Sequence, residues 1–202
     1  MSEYEIYSLW VNAAMAVATF LAVLVALFGE RLRQRWTRPK LKLELIEPAF
    51  TKNNLVRAGW YYLLNASNER LESPASNVRV ILMRVLRKSP DGSWQEQHFS
   101  GPIQVTWRWP DHMPQFATVG QPAAATFGCL TEGRDAFELS VVLYPNNLQR
   151  EIAANDPTRL VFRAVSDTSE SDELIVEVAW DGVWTDARSE IGDHLKVKAV
   201  PA

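Results

Sequence analysis

The sequence predicts a mainly β soluble domain with two packed sheets, a β-sandwich, preceded by one N-terminal transmembrane α-helix. Two observations lead to this prediction. An uncharged apolar run lies near the N-terminus and is followed at once by a cluster of basic residues. After Pro39, apolar and polar residues alternate in many short segments separated by turn residues. This period of two is typical of half-buried strands.

Composition limits the class of function. The chain has 202 residues and a formal net charge of −3, so the chain as a whole is not expected to bind nucleic acid. The one cysteine, Cys129, excludes an intrachain disulfide and a cysteine-rich zinc site. The 8 tryptophans indicate a folded core. We therefore expect one domain of ordinary size after the apolar run.

The apolar run covers residues 6–28 and contains no charged side chain. As a helix it would extend roughly 34 Å, enough to cross the hydrocarbon core of a bilayer. Helix is expected to about residue 38, because Pro39 disfavours helix at the residue before it. Residues 1–5 would then be a short non-cytoplasmic N-terminus and residues 39–202 the soluble domain. A buried helix of a soluble protein and a cleaved signal peptide are the alternatives.

Basic residues on one flank predict the orientation. No Lys or Arg precedes the run, whereas Arg31, Arg33, Arg35 and Arg38 follow it. An excess of Lys and Arg marks the cytoplasmic side of a membrane. We expect an inner (plasma) membrane protein with its N-terminus outside and its domain in the cytoplasm. The same arginines are candidates for binding anionic lipid headgroups.

One row of the helix carries small residues at intervals of four, namely Ala14, Ala18, Ala22 and Ala26. Small side chains in a row allow two helices to approach closely. The row therefore predicts a homo-oligomer or pairing with the helix of another protein. The alternative is chance, because alanine is common in membrane helices.

Eight segments of the domain show the alternation. Their apolar faces run over Leu41–Leu45, Trp60–Leu64, Val78–Leu82, Ile103–Trp109, Phe137–Leu143, Leu160–Ala164, Leu174–Trp180 and Leu195–Ala199. Asp181-Gly182 fits a two-residue hairpin turn after Trp180. No segment of the domain has a convincing helical pattern, and Leu148–Ala154 is the best short candidate. Many short strands favour a sandwich, with a barrel as the main alternative.

Residues 61–82, YYLLNASNERLESPASNVRVIL, resemble the bacterial immunoglobulin-like modules of the CARDB type. In those modules a strand ends in Asn-x-Gly or Asn-x-Ser, and Pro-Ala-x-Asn-Val-x-Val opens the next strand. The matching residues are Asn65, Ser67, Pro74, Ala75, Asn77, Val78 and Val80. The resemblance implies an immunoglobulin-like β-sandwich and carries no functional site. Such modules are usually exported, whereas the charge pattern here predicts a cytoplasmic domain.

Residues that carry chemistry are few and isolated. His98, His112 and His194 have no partners at metal-ligand spacing. Cys129 lies in the strand-like ATFGCL, outside any nucleophile motif. The acidic residues 166–173 lack the glycine of a calcium loop and are typical of a solvated hairpin loop. We therefore expect no enzyme activity, no metal site and no cofactor.

The segment VTWRWPDHMP is the clearest candidate for recognition. Trp107 and Trp109 share one strand face, and that face is expected to belong to the core. The stiff loop that follows, formed by Trp109, Pro110, His112 and Met113, is a candidate recognition loop. Exposed aromatic and Met side chains near Pro would form a protein-binding surface.

Two functions fit these features. The first is an interaction or scaffold module, tethered to the bilayer and bound to a protein partner. The second is a membrane effector or sensor whose domain binds a signal and clusters the helices, as in bacterial defence systems.

Overall fold

The computed structural model describes residues 3–53, 56–70, 72–108, 117–119 and 122–201. The chain divides into two compact units, one that ends at Arg38 and one that begins at Pro39. The first unit holds helix α1, Glu3–Thr37. The second unit is built mainly of strands in two antiparallel sheets. The predicted fold class is thus confirmed as mainly β with one N-terminal apolar helix.

Helix α1 contains the apolar span Trp10–Gly29, with a mean hydropathy of 2.3. None of the span is buried. The hydroxyl of Thr19 donates a hydrogen bond of 2.8 Å to the carbonyl of Met15, one turn earlier, so this polar group is satisfied within the helix. By length and composition, α1 can cross a membrane.

The strands of the second unit divide between the two sheets. Sheet 1 contains β1 (Leu41–Asn53), β2 (Val56–Asn68), β6 (Thr106–Trp107), β8 (Ala123–Thr131), β9 (Ala136–Leu139) and β10 (Glu151–Ala153). Sheet 2 contains β3 (Ala75–Lys88), β4 (Trp94–Gln97), β5 (Ile103–Gln104), β7 (Ala117–Val119), β11 (Thr158–Val165), β12 (Leu174–Trp180) and β13 (Leu195–Val200). A short helix, α2 (Arg188–His194), precedes β13.

Each sheet has a simple order. Sheet 1 runs β1-β2-β8-β9-β10, and β6 also pairs with β8. Sheet 2 runs β13-β12-β11-β3-β4, and β5 and β7 also pair with β3. The successive strands β2 and β3 therefore lie in different sheets.

The two sheets share one hydrophobic core. The alternation in β2 buries Trp60, Tyr62 and Leu64 on the core side. Phe127 of sheet 1 and Phe162 of sheet 2 meet across the core, with ring centroids 5.3 Å apart at an interplanar angle of 60°. Edge-to-face contact of this kind adds to the burial of the two rings.

The segment predicted as one strand, Ile103–Trp109, differs in the structure. Ile103 and Gln104 pair with β3 in sheet 2, whereas Thr106 and Trp107 pair with β8 in sheet 1. The chain crosses between the sheets within a few residues. The alternation persists through the crossing because both sheets turn their inner faces to the same core. Trp109 lies outside the described residues.

Three local expectations are wrong. The best short candidate for a helix, Leu148–Ala154, contains strand β10, and the short helix of the β unit is α2 instead. Leu143 lies beyond β9 and is 77% exposed, so it is not a core residue. Asp181-Gly182 does not connect two strands directly, because residues 181–194 form a long connection that includes α2. The Asp181 carboxylate accepts a hydrogen bond of 2.9 Å from the amide of Val183, which directs the chain away from a tight hairpin.

The turn within the resemblance is held by a different asparagine from the one expected. Asn65 lies inside β2, which continues to Asn68. The Asn68 amide donates to the carbonyls of Arg70 and Ser73, at 2.9 and 2.6 Å, and its oxygen accepts from the backbone N–H of Lys40 and Arg70. One buried side chain thus replaces several backbone partners at the turn.

Candidate interaction surfaces

The two features predicted for the helix both fall within or beside α1. Ala14, Ala18, Ala22 and Ala26 lie within the span and are exposed. Arg31, Arg33 and Arg35 belong to the last turns of α1, and their side chains lie outside the described part. Arg38 follows the helix and is exposed.

The predicted recognition loop can be located only at its start. Trp107 lies on β6 opposite Ala125 and is 4% exposed, so it belongs to the core as the strand pattern indicated. Trp109, Pro110, His112 and Met113 lie outside the described residues. Arg108, between them, is exposed.

Several of the residues considered for chemistry, namely Cys129, His194, Glu170 and Glu173, make structural contacts. Burial raises the pKa of the Cys129 thiol, which makes it a poor nucleophile. His194 contacts the carboxylate of Asp181 at 2.8 Å, and that hydrogen bond lowers the pKa of Asp181. In the acidic loop, Glu170 and Glu173 both bind Arg163. Within the described residues, no group of three or more His, Cys, Asp or Glu could hold a metal ion.

A row of alternating charge crosses the outer face of sheet 2. Arg159 on β11 lies opposite Glu177 on β12, which lies opposite Lys198 on β13. The carboxylate of Glu177 binds Arg159 at 2.9 Å and Lys198 at 3.2 Å. Burial raises the pKa of Glu177, but the hydrogen bonds from the two cations outweigh this and hold it below its usual value. The guanidinium of Arg159 also stacks on Trp94, 4.1 Å from the ring centroid.

The outermost strands of the two sheets differ in how well they are protected. Strands β4 and β10 are only 4 and 3 residues long. Strand β1 is long, but its register shifts between Ile46 and Ala49, around Pro48. Strand β13 pairs with β12 over six residues without a shift. Short strands, bulges and Pro are the usual means of blocking pairing at a sheet edge, so β13 is the least blocked outer strand.

Two grooves lie along the side of the second unit where β1 and β13 are. The smaller groove, of about 480 Å³, is lined by apolar and charged residues, among them Pro48, Tyr62, Ile191, Leu195, Val197, Glu47, Arg188, Lys196 and Lys198. The larger, of about 820 Å³, includes Phe50, Trp60, Arg108 and Arg188. Both are open grooves on the surface, of a size that could hold side chains of a bound segment.

The connection between β12 and β13 contacts β1 and β2 beside these grooves. The Trp60 indole donates a hydrogen bond of 2.9 Å to the carbonyl of Thr185, and Arg188 on α2 binds Glu47 in the bulge of β1. The segment that replaces the expected hairpin therefore closes the core between the sheets.

Neither a protein-family model, nor a curated protein, nor a solved structure matches the chain.

Proposed function

We propose that the chain is a single-pass membrane protein whose β unit faces the cytoplasm and binds another protein as an interaction or scaffold module. The span Trp10–Gly29 carries this proposal, because its apolar side chains are not buried. An exposed apolar surface of this length is unfavourable in water and matches the thickness of a bilayer. A helix of this kind tethers the β unit to a membrane.

The basic flank supports a cytoplasmic β unit. The arginines from Arg31 to Arg38 stand between the span and the first strand, where the charge rule places the cytoplasmic face. At that face they also attract anionic headgroups. The surface of the β unit supports binding rather than catalysis, because many of its described charged groups form ion pairs and its grooves are open.

We also propose an immunoglobulin-like arrangement of the CARDB type for the two sheets. The order β1-β2-β8 in sheet 1 and β12-β11-β3 in sheet 2 corresponds to the order of the A-B-E and G-F-C strands of that fold. Asn77 of the resemblance adopts a φ of 55° and donates to Asp167 at 2.6 Å, so it holds a bend at the start of β3. An experimental structure that paired β2 with β3 in one sheet would contradict this arrangement.

A second candidate is a membrane effector or sensor that works by clustering its helices. It is favoured by the exposed row of alanines in α1. Helices that associate through such a row approach closely, and a signal bound by the β unit would drive the association.

The two candidates are separated by purifying the full chain in mild detergent from its own cells at native expression, then sizing the complex. A stoichiometric second protein supports the interaction module. A homo-oligomer without another protein favours the effector. In that case Ala18→Leu with Ala22→Leu should dissociate the oligomer, whereas Ala16→Leu, on the opposite side of the helix, should not.

A further inference from the structure

The row of alternating charges on the outer face of sheet 2 ends at the edge of the sheet with a cation, Lys198. Across β11, β12 and β13 the charges alternate as Arg159, Glu177 and Lys198. One carboxylate is therefore shared by two cations, and the next place in the row, beyond β13, would suit a carboxylate. Opposite charges directly across a strand pair are favourable, and like charges are not.

A second lysine extends the positive edge. Lys196 is exposed, lies on the same face as Lys198 and is opposite Ala179. It forms no ion pair within the described part of the chain. The backbone of β13 pairs with β12 on one side, and no other described strand pairs with it. The edge thus offers two cations, spaced two residues apart, along an unshifted strand.

The first half of β1, the other long outer strand, has a different charge pattern. Lys42 binds Glu44 of the same strand at 2.6 Å, so its charges are already balanced. Its register is then broken around Pro48. Strand β13 is therefore the better edge for adding a strand, because its register is unbroken and its outer face carries a lysine without an ion pair in the described part of the chain.

The inner side of the β13 edge is apolar. The groove of about 480 Å³ runs beside the edge. Its apolar lining includes Pro48, Tyr62, Ile191 and Val197, and the charged residues Glu47, Arg188, Lys196 and Lys198 also line it. A strand added to β13 would alternate its side chains between the outer face, where the lysines are, and this groove. Its sequence should alternate in the same way.

We propose that the edge of β13 binds an extended segment of a partner protein in which carboxylates alternate with apolar residues. The carboxylates face Lys196 and Lys198, the apolar residues fill the groove, and the backbone extends sheet 2 by one strand. This inference rests on the proposed function as an interaction module and names the class of its partner.

A second copy of the chain fits this edge poorly. If two β13 strands paired antiparallel, each would turn its lysine face to the same side. Lys196 and Lys198 would then lie opposite or beside the lysines of the other copy, an unfavourable arrangement. The lysines therefore select against self-pairing and for an acidic strand.

The test uses the full chain in nanodiscs of neutral phosphatidylcholine and the labelled peptide Thr-Glu-Val-Glu-Val-Thr, with Thr-Lys-Val-Lys-Val-Thr as its matched control. Fluorescence anisotropy should show the acidic peptide binding at least about tenfold more tightly than the basic one. Hydrogen exchange of residues 195–200 should slow when the acidic peptide is bound. Equal affinities, or no binding of the acidic peptide, would overturn the inference.

Substitutions locate the peptide on the edge. Lys196→Glu, which leaves the pair of Lys198 and Glu177 intact, should weaken binding roughly tenfold. A peptide in which the Glu that faces residue 196 is changed to Lys should restore binding to the Lys196→Glu variant. Lys42→Glu on β1 is the matched control and should leave affinity unchanged. If it weakened binding as much as Lys196→Glu, general charge attraction would explain the result.

A peptide N-methylated at alternate amides keeps its charge but loses hydrogen bonds to the edge. Retained affinity would show attraction by charge alone and would overturn strand addition.

The inference and the proposed function can fail independently of each other. A partner protein that still co-purifies with the Lys196→Glu, Lys198→Glu variant would leave the interaction module standing and remove β13 as its site. Absence of any partner from cells would contradict the module whatever the peptide does.

Discussion

Helix α1 and the β unit use the same kinds of apolar residue in opposite ways. In α1, Phe20 and Leu27 are 63% and 64% exposed, whereas in the β unit Phe127 and Leu64 are 1% and 0% exposed. The β unit supplies its own apolar interior from two facing sheets. The apolar span of α1 is exposed, and in the function proposed above a bilayer supplies its apolar environment. Stability of the β unit and insertion of α1 should therefore respond to different substitutions.

The largest expected effect tests the core. Phe162→Ala should lower the free energy of unfolding of the β unit by about 3–5 kcal/mol, because it opens a cavity beside Phe127. The same change in the helix, Phe20→Ala, should leave that free energy unchanged. Urea unfolding of the full chain in detergent, followed by tryptophan fluorescence, measures both. An equal loss in the two variants would mean that α1 is part of the folded core.

A charge in the span should have the converse effect. Leu21→Arg should raise the free energy of membrane insertion by about 2.5–3.5 kcal/mol, because the guanidinium must enter the hydrocarbon core. Leu143→Arg, at an exposed site of the β unit, is the control and should not alter insertion. The measurement is the fraction of full-length chain that resists alkaline extraction of membranes. An unchanged fraction for Leu21→Arg would contradict a spanning helix.

A smaller effect is expected from a close contact between β8 and β9. A Cβ added at Gly128 would overlap the ring of Phe137 and lie 2.9 Å from the carbonyl oxygen of Glu138. Gly128→Ala should therefore destabilise the β unit by about 1–3 kcal/mol through overpacking. At Gly192, a Cβ would meet nothing within 4 Å, so Gly192→Ala should cost nothing. Thermal unfolding of the two variants provides the comparison.

Removing the carboxylate from the charge row should have the smallest effect on stability, and this effect should depend on pH. Glu177→Gln should lower stability by about 0.2–1 kcal/mol per ion pair lost, because both pairs are partly exposed. The pKa of Glu177 is lower in the folded chain than its usual value of 4.5. Its contribution is therefore present above pH 4.5 and is lost as the pH falls through the folded pKa. Unfolding curves from pH 7 to pH 3 should show a smaller acid-dependent loss in Glu177→Gln than in the unmodified chain.

The alternation of apolar residues predicted most of the long strands, but the eight alternating segments did not include β8 (Ala123–Thr131), which is buried almost continuously. The period of two in Trp60–Leu64 and Leu160–Ala164 follows from one buried face, and both segments are strands in the structure. The same signal could not reveal which sheet each strand joins. Ile103 and Trp107 share an alternation yet pair in different sheets, because the pattern records only that both face the core.

Local turn chemistry was less informative. Asp181-Gly182 has the residues of a hairpin, but contacts of Asp181 with Val183 and His194, and of Thr185 with the Trp60 indole, direct the chain elsewhere. The contacts with His194 and with the Trp60 indole join residues 13 and 125 positions apart in the sequence, so no local pattern contains them. The β13 edge was missed for the same reason. Its lysines are ordinary in sequence, and only the register with Glu177 and Arg159 relates them to a row of charge.

The most direct test of a cytoplasmic β unit tethered by α1 is a pair of C-terminal fusions to the full chain, one to green fluorescent protein and one to alkaline phosphatase. We expect a fluorescent fusion in the membrane fraction and an inactive phosphatase, because the arginines after the span retain the C-terminal side in the cytoplasm. An active phosphatase with a dark fluorescent protein would place the β unit outside and contradict the proposed topology.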